Sequence, residues 1–420
     1  MASCASSTSN SAANAGSNSG DSQTFAGLCE ETDDTVAFDP LDTDAPWDLS
    51  GGVATGNQDA EVTLTENGRD LLRPQIQGTV SDWNTNWDMS TVDLGTIIGG
   101  GPPRDGIPPI DAPVFETVDQ GCEWLTGNEP GALVQLGDEV RFYPLSILTR
   151  HEIVNDRIND IPVAITFCPL CNTAVAFDRR VDGEVRRFGV SGLLRNSDMV
   201  MWDDTTESLW QQITAEAIAG DAAGTQLEIV SSSIVSFEQF STSFPDGRVL
   251  SRDTGFSINY GANPYRDYST SERPFFFDGE IDERIPPLER VVAVTVNDTH
   301  RAYPFSEIPI GTVLNDEIDG TPVVIWRSGS TADALDNNVI ADSDAIGSAV
   351  AFNPVVEGKT LTFTANDDAT FSDDAGSTWD ELGLAIDGPM EGTRLESVIH
   401  TNEFWFAWAA FFPEGELYEG

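Results

Sequence analysis

The chain has 420 residues, 40% of them hydrophobic, and a formal net charge of −49. That length accommodates two domains with proper cores, and no apolar run approaches the about 20 residues that a membrane-spanning helix needs. Against 70 Asp and Glu stand 21 basic residues, and a field of that sign repels a phosphate backbone and excludes nucleic-acid binding.

Lys359 is the sole lysine. An acidic, lysine-poor surface of this kind resembles that of proteins from extreme halophiles, which must stay hydrated where salt screens charge over very short distances. In chain order, residues 1–24 are small and polar, cannot bury a core, and are expected to form a disordered Ser/Asn/Gly tether. Cys4 at its head resembles the lipidated cysteine of a mature lipoprotein. The expectation is therefore a lipid anchor at Cys4 and an extracytoplasmic, cell-surface place, where disulfides persist; a cytoplasmic place stays open. Residues 25–98 read as a partly ordered N-terminal extension. The stretch GGGPPRDGIPPIDAPVF (99–115) then marks a boundary, because its glycines and prolines favour turns and extended chain over helix.

Beyond this boundary the chain repeats itself. Tyr143-Pro144 recur as Tyr303-Pro304 and Asn155-Asp156 as Asn315-Asp316, both 160 residues on. AVAFD (174–178) recurs as AVAFN (349–353), GTQLE (224–228) as GTRLE (392–396), and Trp210 as Trp379. The first copy carries CPLC (168–171) where the second has the long loop SGSTADALDNNVIADSDAI. Copy one is taken as residues 99–271 and copy two as 272–420. Within copy one, ALVQLGDEVRFYP reads as a hairpin, LSILTRHEIV as a helix with its apolar face at 145, 148 and 153, and IPVAITF as a buried strand. TAVAFDRRVDGEVRRFGVSG reads as a second hairpin turning at Asp182-Gly183. Copy two ends in the helical NEFWFAWAAFFP, with Pro413 near its end. The expected fold class is α+β, mainly antiparallel β, in two tandem related copies each closed by a C-terminal helix.

The stretches GGPPRDGIPPIDAPVF, HEIVND, TFCPLCNTAVAFDR, FGVSGLLRNSDMVMWD, ESLWQQITAEAIAG, LSRDTGFSINYGANPY and HTNEFWFAWAAFFP together resemble the family known as domain of unknown function 3179. The resemblance runs over about residues 95–420. It implies that the CPLC pair is a family feature, and it carries no activity with it.

A C-x-x-C pair supports three chemistries. As a staple it is weak, since closing so short a loop is worth only ~2 kcal/mol, and copy two keeps the scaffold with Ser328 in place of Cys168. As a thiol–disulfide redox pair, Cys168 and Cys171 depart from the thioredoxin pattern, because Pro169 follows the first cysteine and no helix starts there to depress its pKa. As a metal knuckle the stretch is well suited: Pro169 fixes φ, and Asn172 tolerates the left-handed conformation after the second cysteine. Of the three histidines, His300 reads as solvent-facing. His151 and His400 stand where copy two has Gly311 and copy one has Ser232. The metal expectation is therefore Cys168 and Cys171 with His151 and His400 around Zn or a copper ion. Met199 and Met201 read as core, and Cys122 as part of a helix.

Arg195, Asp198, Arg252 and Tyr260 are candidates for a pocket whose ligand the sequence does not name. Asp203-Asp204 recur as Asp373-Asp374, which gives them a scaffold role. Nucleophile-elbow, phosphate-loop and HExxH motifs are absent, so no enzymatic activity is assigned. Three functional classes follow: soft-metal binding, thiol–disulfide redox, and a non-catalytic surface binding or structural module. The small-molecule or protein partner is left open.

Overall fold

The computed structural model describes residues 60–420 and the backbone of residues 55–56; the tether, Cys4 and Cys29 lie outside the described residues. In the first half, after a strand at Phe115–Thr117 and the helix Val118–Cys122, come strands β1 (Pro130–Leu136) and β2 (Glu139–Pro144), reversed at Gly137, whose φ of 60° places it in the left-handed region. Helix α1 (Leu145–His151) follows. It is shorter than the apolar spacing suggests: Glu152 takes φ 59° and caps the helix, donating its N–H to Leu148 O at 2.7 Å. The β-branched Ile153 then opens β3 (Ile153–Ile158) rather than extending the helix.

Asn159 and Asp160, both at positive φ, turn β3 into β4 (Ile161–Cys168). The CPLC turn leads from β4 into β5 (Thr173–Asp178), with Cys168 opposite Thr173. The expected Asp182-Gly183 turn is present, at φ 54° and 77°. Then come β6 (Phe188–Arg195), β7 (Asp198–Asp203), β8 (Leu209–Gln211) and β9 (Glu216–Ala219). Strand β10 (Ser232–Ser236), helix α2 (Phe237–Ser243) and strand β11 (Arg248–Leu250) complete the first half. A stretch without strand or helix, 251–289, crosses to the second half.

That half contains β12 (Arg290–Val296), β13 (Thr299–Pro304), β14 (Thr312–Ile318), β15 (Thr321–Ser328) and β16 (Ser348–Asn353). It ends with β17 (His400–Phe404) and α3 (Trp405–Phe411). The fold is mainly β, and α1, α2 and α3 are only 7 residues each. Strand order in the two halves agrees. The sheet β10-β1-β2-β11 parallels β17-β12-β13-(416–417), and (229–230)-β5-β4-β3 parallels (396–397)-β16-β15-β14. Neither α2 nor α3 ends its half, because a short strand follows each and pairs in parallel with β2 or β13.

The recurring sequence pairs are structural. Asn155 Nδ2 donates to Phe188 O at 2.8 Å and Asn315 Nδ2 to Phe363 O at 2.9 Å. The Tyr143 and Tyr303 hydroxyls donate to Asp156 and Asp316, which also pair with Arg141 and Arg301. Trp210 Nε1 and Trp379 Nε1 donate to Asp203 and Asp373, each at 2.9 Å, as the scaffold reading of these aspartates requires.

Two packing features position the site. One core holds Leu148, Phe167, Cys168 and Met201 of the first half together with Phe404 and Phe406 of the second, so the halves share a hydrophobic interior. Trp83, Trp87 and Ile97 of the N-terminal extension pack on Leu193 and Val200, and residues 98–99 pair with β6.

Candidate metal centre

Strand β4 delivers Cys168 to its last position, and the chain turns through Pro169 and Leu170 to Cys171. Cys171 N–H donates to Cys168 O at 3.2 Å, Asn172 N–H to Pro169 O at 3.3 Å, and Asn172 sits at φ 55°. This is a tight turn with Asn172 in the left-handed conformation that its position calls for. Both thiols are free and buried, with Cys168 2% and Cys171 0% exposed.

A third group meets them from the β6–β7 turn. Asp198, the first residue of β7, is fully buried, and a carboxylate oxygen of it lies with the two Sγ atoms in a group whose members are all within 4.8 Å of one another. Its Oδ2 accepts from Gln211 Nε2 at 2.7 Å and from Ile213 N–H at 3.0 Å. Its Oδ1 is buried and has no hydrogen-bond partner.

Two further acids flank this group. Glu152 receives the Tyr265 hydroxyl at 3.3 Å. Glu403, from the far end of the second half, receives Thr401 Oγ1 at 2.7 Å and Thr173 Oγ1 at 3.5 Å. The Tyr268 hydroxyl donates to Leu170 O at 2.7 Å, and Phe404 N–H donates to Cys171 O at 2.9 Å. The CPLC turn is thus held from two separate stretches of chain, at Tyr268 and at Glu403–Phe404.

Burial sets the electrostatics. Among the described residues no ion pair reaches Asp198, Glu152 or Glu403. Desolvation raises Asp198 to about 6, Glu152 to about 7 and Glu403 to about 8. Burial also pushes the Cys168 thiol up and the Cys171 thiol well up, and the facing Asp198 adds to both. Five acids therefore meet in one dry place with no ion pair among the described residues, Arg195 acting on Asp198 only through its charge. Such a cluster stays neutral by holding protons, or has most of its charge balanced by a metal while the flanking acids keep theirs. Two sulfurs and a carboxylate oxygen are a donor set that a Zn(II)-type ion accepts, and without an ion the two thiols themselves act on Asp198 as hydrogen-bond donors.

The expected Cys–Cys–His–His set is not what the structure brings together. His151 has Nδ1 2.7 Å from Pro108 O and Nε2 2.7 Å from the Tyr260 hydroxyl. His400 has Nδ1 2.8 Å from Val398 O and Nε2 3.1 Å from Ser233 Oγ. Both nitrogens of each ring are engaged, and neither ring joins the sulfurs. The left-handed cap at Glu152 redirects the chain, and it is Glu152, one residue past His151, that faces Cys168. His300 is half-buried rather than solvent-facing, its ring on Phe412 and its Nδ1 2.9 Å from Thr295 Oγ1. Met199 and Met201 are core, as expected.

The pocket candidates divide. Asp198 joins the cysteines. Arg195 stands behind it, with Nη1 3.5 Å from Gln211 Oε1. Arg252 and Tyr260 line a different cleft of about 820 Å³, floored by Trp124. Cys122 lies in the helix Val118–Cys122 and is disulfide-bonded. Sequence reasoning missed Glu152, Glu403, Tyr265 and Tyr268 as walls of the site. One signal was available for Glu403, because the repeat that aligns His400 with Ser232 aligns Glu403 with the apolar Val235.

Geometry thus defines a mainly β protein with a buried Cys–Cys–Asp cluster where its two halves meet. The profile of the family described as "Protein of unknown function (DUF3179)" matches residues 104–415, and the chain belongs to that family. No curated protein and no solved structure matches it.

Proposed function

We propose that the protein binds one soft or borderline metal ion, Zn(II) or copper, through Cys168, Cys171 and Asp198. The observation that carries this reading is the Asp198 carboxylate, buried against two free thiols within 4.8 Å of one another, with one of its oxygens outside the Gln211 and Ile213 hydrogen bonds. Metal binding would deprotonate both thiols, and the ion's charge would offset the thiolates and the carboxylate in a place where water cannot. The ion itself supplies Lewis acidity or a redox couple when bound; the chain supplies two sulfurs, one oxygen and exclusion of solvent.

Redox chemistry by the thiols alone is the poorer reading. An attacking cysteine needs a lowered pKa and access, whereas both thiols here are raised by burial and closed off. The CPLC turn also starts no helix whose N-terminus would favour a thiolate.

The two halves are read as tandem copies of one unit, supported by their matching strand order and repeated hydrogen bonds. An extracytoplasmic place is supported by the Cys122 disulfide, and a halophilic setting by the net charge of −49. Counting thiols tests the function. In native full-length protein Cys168 and Cys171 are expected to resist a thiol reagent until a strong chelator is added. A Cys168–Cys171 disulfide in chelator-free, metal-free protein would overturn the metal reading in favour of redox.

A further inference from the structure

The Asp198 carboxylate is held asymmetrically. Oδ2 is fixed by the Gln211 side-chain amide at 2.7 Å and the Ile213 backbone N–H at 3.0 Å. Oδ1, equally buried, has no partner. Gln211 is 0% exposed and lies on β8, whose pairing with β7 places it opposite Val200. Its own Oε1 faces Arg195 Nη1 at 3.5 Å, and the strand register places Arg195 opposite Asp198 across the β6–β7 turn. The order Arg195–Gln211–Asp198 fixes the polarity: the guanidinium takes the amide oxygen, so the amide NH2 must face the carboxylate. This is how a protein orients a metal-binding carboxylate from behind. The second half has no counterpart. There Asp380 follows the matching Trp379, and its Oδ1 accepts from Leu382 N–H at 2.9 Å and Leu384 N–H at 2.7 Å.

We propose that Gln211 is a specificity-determining residue of the metal centre, pinning one oxygen of Asp198 so that the carboxylate can give a cation only the other. This rests on the metal reading above and adds a selectivity to it. A one-oxygen carboxylate with two sulfurs offers three protein donors, which suits a four-coordinate ion such as Zn(II) or Co(II) with one exogenous ligand. It disfavours Ca(II) and other hard ions that take six or more oxygens and readily use both oxygens of a carboxylate. Gln211 is a positioning residue, since it touches the ligand and not the ion.

Cobalt(II) titration of the full-length chain in high salt tests this, because thiolate charge-transfer bands count sulfurs while d–d intensity reports coordination number. Wild type is expected to show both, with the strong d–d bands of a four-coordinate ion. Gln211→Glu, which keeps the volume but replaces the donating NH2, and Gln211→Leu are expected to keep the charge-transfer bands. Both should weaken the d–d bands and lose about 10–100-fold in Co(II) affinity. Gln239→Leu, which removes an equally buried amide far from the cysteines, should match wild type. Gln211 variants with wild-type d–d bands and affinity within about twofold of wild type would overturn the inference while leaving the metal reading intact. A wild-type chain without charge-transfer bands would overturn the metal reading itself. Should both Gln211 variants fail to fold, X-ray absorption of the zinc-loaded wild type decides. Two sulfurs at ~2.3 Å and oxygen at ~2.0 Å without a second Asp198 oxygen support the inference, and a two-oxygen Asp198 overturns it.

Discussion

The two halves place very different chemistry at the same point of the same scaffold. In the first, the β4–β5 hairpin carries Cys168 and Cys171 and is met by Glu403 and Phe404 from the β17–α3 junction of the second half. In the second, the matching β15–β16 hairpin carries Ser328 and Ser348 and is met by Gln239 near the β10–α2 junction of the first half. There Ser348 Oγ donates to Gln239 Oε1 at 2.8 Å, and Gln239 Nε2 donates to Ser328 Oγ at 3.2 Å and to Glu381 at 3.1 Å. That cluster is mostly neutral and its groups satisfy one another. The cysteine cluster is acidic, and Asp198 Oδ1 is left without a partner. A buried polar group without a partner costs stability; the second hairpin carries no such group at its serines, and the first carries the carboxylate oxygen on which the proposed metal site rests.

The sharpest way to break this contrast is to make the first hairpin resemble the second. Cys168→Ser with Cys171→Ser is expected to abolish Zn(II) binding while the fold, read by circular dichroism, persists. Asp198→Ala should lower Zn(II) affinity, measured by chelator competition, by at least the about 10–100-fold typical of a group behind a ligand. Glu403→Val, which installs the residue its counterpart Val235 represents, acts on the metal-free protein through pH. Burial raises Glu403 from an ordinary 4.5 to about 8 in the fold, so the folded state holds that proton more tightly than the unfolded state. Its contribution is fully present below about 4.5 and is lost as pH rises to about 8, at up to ~1.4 kcal/mol per pH unit. The variant should therefore gain stability over wild type in denaturant titrations at pH 8 and gain little at pH 4.5; an equal gain at both would contradict this.

In the second hairpin, Gln239→Leu should cost stability on the order of 1–3 kcal/mol by leaving buried hydroxyls unpaired, with no change in metal stoichiometry. The smallest effect belongs to the histidines. His151→Ala and His400→Ala should leave bound metal unchanged, and loss of metal in either would return that ring to the ligand set.

Local chemistry was legible in the sequence and long-range packing was not. The Asp182-Gly183 turn and the left-handed Asn172 follow from a few adjacent residues. The repeat located the cysteines as the place where the copies differ. Asp198 stood out as a pocket candidate, but nothing local tied it to the cysteines; that contact depends on how the β6–β7 turn folds over the β4–β5 hairpin. His151 drew attention as a ligand because its type suits a metal, while the left-handed cap at Glu152, which brings Glu152 rather than His151 near Cys168, has no strong sequence mark. Glu403 reaches Thr173 across 230 residues, a contact that only the packing of one half on the other creates.

Elemental analysis of the full-length protein purified in high salt, beside its Cys168→Ser/Cys171→Ser variant, tests the central claim most directly. The account predicts about one equivalent of zinc or copper in the wild type and none in the variant. Equal metal content in the two proteins, or none in either after supply of both ions, would contradict it.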